Sequence, residues 1–311
     1  MDFLYGPLLL SAAKAGNTKR FVPLLEKIRN IKYQDSMKET ALHKAAGGGH
    51  MDIVRLLLEK GSPIELTNKN GSTPLHLAAQ NGHTSMVALL LEKGSSIVAN
   101  KYKNTPLHGA ARNGHTAMVG LLLEKGIPVD AMGEDDKTAL HFAAESGQTS
   151  TAELLLEKGA RIEAITSRLN KTPLHLAAES GYTSMAELLL RKGASIEAKH
   201  KYGSTPLHLA VESSYTGIKT AELLTGIRMV ELLLRNGAST EARTDPELTI
   251  LPNATPLDVA KLYHLDTVTA ILKKEAARRA ALGPGTGEGP QRKWDQVKRV
   301  AGDMLVELIT D

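Results

Sequence analysis

Apolar positions recur along this chain at helical spacing, broken by polar punctuation. Leu75-His76-Leu77-Ala78-Ala79 is followed by Gly82, then by a second apolar run, Met86-Val87-Ala88-Leu89-Leu90-Leu91, and then by Gly94. The pattern predicts two short helices joined by a tight turn. Thr73 before Pro74 marks the first start. The hydroxyl caps the opening turn, and proline gives up an N–H that would find no helical partner there. Glycines supply the left-handed residue that closes a helix, as expected at Gly114 and Gly147. The Leu-Leu-Leu run predicts a second helix buried almost all round. Polar stretches such as Lys69-Asn70-Gly71-Ser72 predict projecting hairpin loops.

The unit repeats. Thr-x-Leu-His-x-Ala returns with histidines at 43, 76, 108, 141, 175 and 208, spaced 33, 32, 33, 34 and 33 residues apart. No unit of this size buries its own apolar face, so stability must come from stacking. Leu9–Asn17 fits the same frame with Leu10 in the histidine position, and Ala254–Ala260 fits it with Asp258 there. His208 and Asp258 are 50 residues apart, so this stretch carries extra residues, assigned to an insertion near 215–228 and a longer hairpin at 243–254. These motifs resemble the ankyrin repeat family, with its T-P-L-H-x-A signature. The resemblance covers residues 5–282 and implies an all-α solenoid of helix–turn–helix units with short hairpin loops. About eight repeats are expected. Residues 5–33 form an N-terminal capping repeat and 34–242 six repeats including the insertion. Residues 243–282 form a degenerate last repeat with a long hairpin and an extended helix. Gly283–Pro290 reads as a flexible linker. In 291–311, Trp294, Val297, Ala301, Met304, Leu305, Leu308 and Ile309 fall at helical spacing, which predicts an amphipathic helix.

Composition removes whole classes of chemistry. There is no cysteine, which excludes disulfides, thiolate metal sites and cysteine nucleophiles. The 38 Lys and Arg against 34 Asp and Glu leave a charge of +4, too mild and too dispersed to argue for nucleic acid. No run approaches the roughly 18 apolar residues of a membrane span. Leu8–Ala15 has a faint signal-like shape, but Asp2 is acidic and the apolar run is short. A cytoplasmic protein is therefore expected, with the nucleus left open. Of eleven histidines, nine fall in two repeat positions (Leu-His, and Gly-His as in His50, His83 and His115) and only His200 and His264 lie outside them. The resemblance implies that the repeated imidazoles bond hairpin and turn backbone. No ligand-spaced cluster stands out, so neither a metal nor a cofactor is expected.

The resemblance further implies that a partner protein binds along a concave face built from hairpin tips and the exposed ends of first helices. Carried onto this chain, that face holds Lys69, Asn70, Lys101, Tyr102, Arg112, Asn113, Glu134, Asp135, Glu145, Arg168, Glu179, Lys201, Tyr202 and Glu212. One part is basic and aromatic, while Glu145, Glu179 and Glu212 form an acidic ladder. A scaffold or adaptor selecting a partner of complementary polarity is the first reading. The alternative is a small-molecule-binding protein or a non-metal acid–base enzyme. It would use those three carboxylates with Tyr102 or Tyr202, under a lid made by the insertion or the C-terminal helix. Trp294 and its helix are expected to dock on the chain's own groove or on a partner.

Overall fold

The computed structural model of the protein describes residues 2–216, 220–247 and 251–282. The linker, the helix expected over 291–311 with Trp294, and Ile218 of the insertion lie outside the described residues. Among the described residues, regular structure is helical throughout. In chain order the helices are α1 (Asp2–Lys14), α2 (Thr18–Lys27), α3 (Ala41–Gly47), α4 (Met51–Glu59), α5 (Pro74–Gln80), α6 (Thr84–Glu92), α7 (Pro106–Arg112) and α8 (Thr116–Glu124). They continue as α9 (Ala139–Glu145), α10 (Thr149–Glu157), α11 (Pro173–Glu179), α12 (Thr183–Arg191), α13 (Pro206–Thr216), α14 (Thr220–Arg235), α15 (Pro256–Leu262) and α16 (Asp266–Leu282). The chain divides into two compact units, Met1–Ser167 and Arg168–Asp311.

In the first unit each odd-numbered helix packs on the even-numbered helix that follows it, and α1, α3, α5, α7 and α9 pack in succession along a row. The reason is local. Thr40, Thr73, Thr105 and Thr138 each sit in extended backbone at an N-cap, and Pro74 and Pro106 open their helices at the first position. The Ala pairs Ala45-Ala46, Ala78-Ala79, Ala110-Ala111 and Ala143-Ala144 are fully buried, which lets the first helices of the row approach closely. Gly82, Gly114 and Gly147 take φ near +70°, where an L side chain is strained. The signal-like segment lies in α1, with Leu9, Leu10, Ala12 and Ala13 buried against the unit.

The expectation that the Leu-Leu-Leu runs are buried almost all round needs correction in α4, α8 and α10, though α6 buries both Leu89 and Leu90. Leu57, Leu122 and Leu155, the middle residues, have no exposed surface, while their leucine neighbours in α4, α8 and α10 stay half-exposed. Successive residues on a helix point about 100° apart, so a single buried stripe cannot take all three.

Gly120 stands inside α8 with an ordinary helical neighbourhood. A methyl group there meets only a methyl of Leu154, at 3.8 Å, a normal van der Waals distance. Gly120→Ala is therefore expected to raise stability by about 1 kcal/mol through restored helix propensity. Chemical denaturation of the two forms at neutral pH checks the sign.

In the second unit the extra residues near 215–228 do not make a loop between two ordinary helices. They lengthen both: α13 has 11 residues and α14 has 16, against 7 and 9 in α11 and α12. Gly226 packs on Ser214, so closely that a Cβ would come within 3.0 Å of the Ser214 Cα. The long helices meet there with only the small Ser214 side chain between them. Of the apolar insertion residues, Ile227 is half-buried and Leu224 is exposed. Arg279 of α16 donates to the Leu234 and Ala238 carbonyls at the end of α14, and its guanidinium also binds Glu275 at 2.8 Å.

Candidate functional site

The hairpins are held by histidine. In each case the Thr N–H at the cap donates to the imidazole Nδ1 three residues on: Thr73 to His76 at 3.2 Å, Thr172 to His175 at 3.2 Å, Thr205 to His208 at 3.2 Å. The cap hydroxyl lies 2.9 Å from the same nitrogen in all three. An Nδ1 that accepts in this way carries no proton, so Nε2–H is the donor. It reaches the carbonyl at the base of the next hairpin: His43 to Ser72, His76 to Asn104, His108 to Ala131, His175 to Ser204 and His208 to Ala254, at 2.9–3.2 Å. Burial pushes the imidazoles of His43 and His108 down from their ordinary pKa and takes His76, His175 and His208 down to about 4, with the carbonyl contacts pulling weakly the other way. The second set, His50, His83 and His115, reaches back to the Lys14, Gly47 and Gln80 carbonyls at 2.9–3.0 Å. These rings are spent on main chain, which is the role the sequence resemblance implied. His200 is a variation: it replaces the Asn68 and Asn100 of earlier hairpins, its Nδ1 accepting from Ser204 N–H at 3.1 Å while its ring stacks on His175. At Asp258 a carboxylate does the capping instead, accepting from the Thr255 N–H and hydroxyl. Having no proton to donate, it serves only its own helix.

The tips are tied to one another by single backbone bonds. Lys69 N–H donates to Met37 O at 2.9 Å and Lys101 N–H to Asn70 O at 3.0 Å in the first unit, and Lys201 N–H to Leu169 O at 2.8 Å in the second. The Glu134–Asp136 turn departs from this. Glu134 N–H takes the Asn104 side chain instead, and Asp135 and Asp136 both adopt left-handed backbone.

On this frame the sequence-derived residues fall as follows. Lys69, Asn70, Lys101 and Tyr102 are exposed at hairpin tips of the first unit, and Glu134 and the half-buried Asp135 sit on the next tip. Arg112 and Asn113 are exposed at the end of α7, and Glu145 is half-buried at the end of α9. In the second unit Arg168, Lys201 and Tyr202 are exposed on tips, Glu179 is exposed at the end of α11, and Glu212 is half-buried in α13.

Charge pairing changes how the acidic positions read. Lys137 binds Glu145 at 2.7 Å, and Arg112 approaches the same carboxylate at 3.7 Å. Lys171 grips both oxygens of Glu179 at 2.7 and 2.8 Å. Lys44 is held by Asp35 at 2.8 Å and by Glu39. Glu212 keeps its carboxyl above the usual range because it is partly buried and faces Glu179, with Lys171 opposing. Sequence reasoning missed Lys137 and Lys171. Their common spacing of eight residues before Glu145 and Glu179 was the available signal.

It also missed a notch. The position after each motif histidine is Lys44, Leu77, Phe142, Leu176 or Leu209 in other units, but Gly109 in α7. Over it lies a cleft of about 100 Å³ lined by Gln80, Gly109, Arg112, Asn113 and Phe142, with the His76 and His108 rings below. Arg112 stacks on Phe142 at 4.6 Å. Among the described residues no group of three or more His, Asp or Glu is placed to hold a metal ion. No described helix is long and apolar enough to cross a membrane.

Comparison with known proteins fits this geometry. The family model described as ankyrin repeats (3 copies) matches residues 9–101, 97–166 and 163–238. The crystal structure of the human ASB11 ankyrin repeat domain is similar at 26% identity with a TM-score of 0.62, over 74% of this chain and 98% of that one. No curated protein sequence matches. Ankyrin repeats are generally protein-interaction modules. With hairpins, capping histidines and stacked helix pairs all accounted for by one repeating unit, the chain belongs to the ankyrin repeat family.

Proposed function

We propose that the protein is a scaffold or adaptor that binds a partner protein through its hairpin tips and the exposed ends of its first helices. The observation that carries this reading is the division of labour among side chains. The repeated residues are consumed in holding the stack, whereas the side chains of Lys69, Lys101 and Tyr102 are exposed on the hairpin tips, with Arg112 exposed beside them at the end of α7. Tyr102, 48% exposed between two lysines, is suited to anchor a contact. Glu145 and Glu179 are engaged by lysines, an arrangement better suited to presenting a shaped charged surface than to proton transfer. A cytoplasmic setting accords with a cysteine-free chain.

The test is charge reversal by position. Partners retained on the immobilised full chain are quantified after Lys69→Glu with Lys101→Glu on the tips. They are compared with Glu92→Lys, Glu124→Lys and Glu157→Lys at the exposed ends of the second helices. The tip pair is expected to weaken the retained partners by about tenfold or more, through steering and lost contact, and the second-helix set to change little. Equal effects from both sets would place the interaction elsewhere.

A further inference from the structure

The missing side chain at Gly109 leaves a cleft whose surroundings specify a ligand. A cleft of about 100 Å³ is about three times the ~30 Å³ a water molecule occupies in the liquid, enough for the end of one short side chain. One wall is Arg112, its guanidinium carbon 4.6 Å from the centre of the Phe142 ring and its closest approach to a carboxylate a long 3.7 Å. Its ionic partner, Glu145, lies 3.7 Å away and is already bound by Lys137 at 2.7 Å. Two cations thus share one carboxylate, leaving one positive charge over. The opposite wall is the exposed Gln80, while Asn113 donates its amide to the Gln80 and Gly109 carbonyls and fixes the rim. Lys101 and Lys69 stand exposed on the tips of the same and the preceding hairpin. Glu134, Asp135 and Asp136 occupy the next tip and would repel negative charge there.

We propose that the Gly109 cleft is an anchoring pocket for one Asp or Glu side chain of an acidic partner segment, whose further acidic residues lie over Lys101 and Lys69 and not over the Glu134–Asp136 turn. The carboxylate takes Arg112, the guanidinium being the donor whose fork matches it. Gln80 supplies a neutral donor beside it. This rests on the reading of the face as an interaction surface and names the chemistry that the face selects.

The test displays a library of random peptides to the full chain at low ionic strength and measures the selected binders by fluorescence anisotropy. The expected binders share an acidic position. Replacing that residue by its amide, or Arg112→Gln in the protein, weakens binding tenfold or more, and combining the two adds little. Gly109→Leu, which fills the cleft, does the same. Its Cβ would lie 3.3 Å from that of Gln80, so circular dichroism confirms that the variant folds, and the Arg112 and peptide changes decide the matter if it does not. Binders lost on Lys69→Glu with Lys101→Glu, yet lacking an acidic position or indifferent to Arg112 and Gly109, overturn the pocket while leaving the interaction face standing. Binders indifferent to all four changes, or none selected, overturn both.

Discussion

Lowering the pH from 7 to 4 is expected to unfold the protein, with most of the loss falling above the range in which carboxylates titrate. The cause is the neutral state required of the motif histidines. His76, His175 and His208 have folded pKa values of about 4, against 6.5 in an open chain, chiefly because burial disfavours the imidazolium. Geometry demands the same, since each Nδ1 already accepts the cap N–H. Between 6.5 and 4 the unfolded chain binds protons that the folded chain refuses, so stability rises with pH through that window and is complete above it. Each of the three rings costs the folded state ~2 kcal/mol at pH 5 and ~3 kcal/mol by pH 4. Their combined loss is comparable with the whole stability of an ordinary domain. His43 and His108, shifted the same way, add to it. Asp258 behaves oppositely. Its carboxyl is held below the ordinary carboxylate value by the Thr255 N–H and hydroxyl, so that cap is lost only in stronger acid. Helical circular dichroism followed against pH, with melting curves at pH 7 and pH 5, gives the measurement. A helix signal unchanged down to pH 4 would show that the rings tolerate protonation in place.

The histidine network was legible in the sequence because six units repeat it, and repetition turns a weak local preference into a strong signal. Thr-Pro caps, the glycine stops and the place of Asp258 in the frame were readable for the same reason. What could not be read was whatever differs from one unit to the next. The spacing excess before Asp258 located extra residues, yet nothing in it said that α13 and α14 would simply grow longer and cross at Gly226 and Ser214. That outcome depends on a close approach which only the packed pair reveals. Exposed charges were the hardest. Glu145 and Glu179 were marked from their slot, but a slot fixes where a side chain starts and not what reaches it. Lys137 and Lys171, coming from the hairpin rather than the helix, decide their chemistry. Gly109 was visible as a letter and silent as a cleft, because the meaning of an absent side chain lies in the Gln80, Arg112 and Phe142 that surround the gap.

The leucine runs supply the second large effect, one that depends on a single step along the helix. In α10, Leu155 is wholly buried while Leu154 and Leu156 on either side are half-exposed. All three have the same composition and nearly the same hydropathic neighbourhood, so a reading by composition would give them equal weight. Packing does not. Helix α10 lies against both α9 and α8, and the buried stripe carrying Leu155 leaves no solvent beside it. Leu155→Ala removes the transfer energy of the lost methyl groups and leaves a cavity that a repeat pinned on two sides cannot easily close. A cost of about 3–5 kcal/mol is expected. Leu154→Ala and Leu156→Ala give up part of an already wetted side chain and are expected to cost about 1 kcal/mol each. In a stack the consequence spreads by neighbour, because each helix pair depends on the interface with the next. Hydrogen exchange in the Leu155→Ala chain should therefore accelerate in α8 and α9 as well as in α10, with α1–α4 far less affected. Equal destabilisation by the three substitutions would mean that the run is buried all round after all, and acceleration confined to α10 would mean that neighbouring pairs hold themselves up independently.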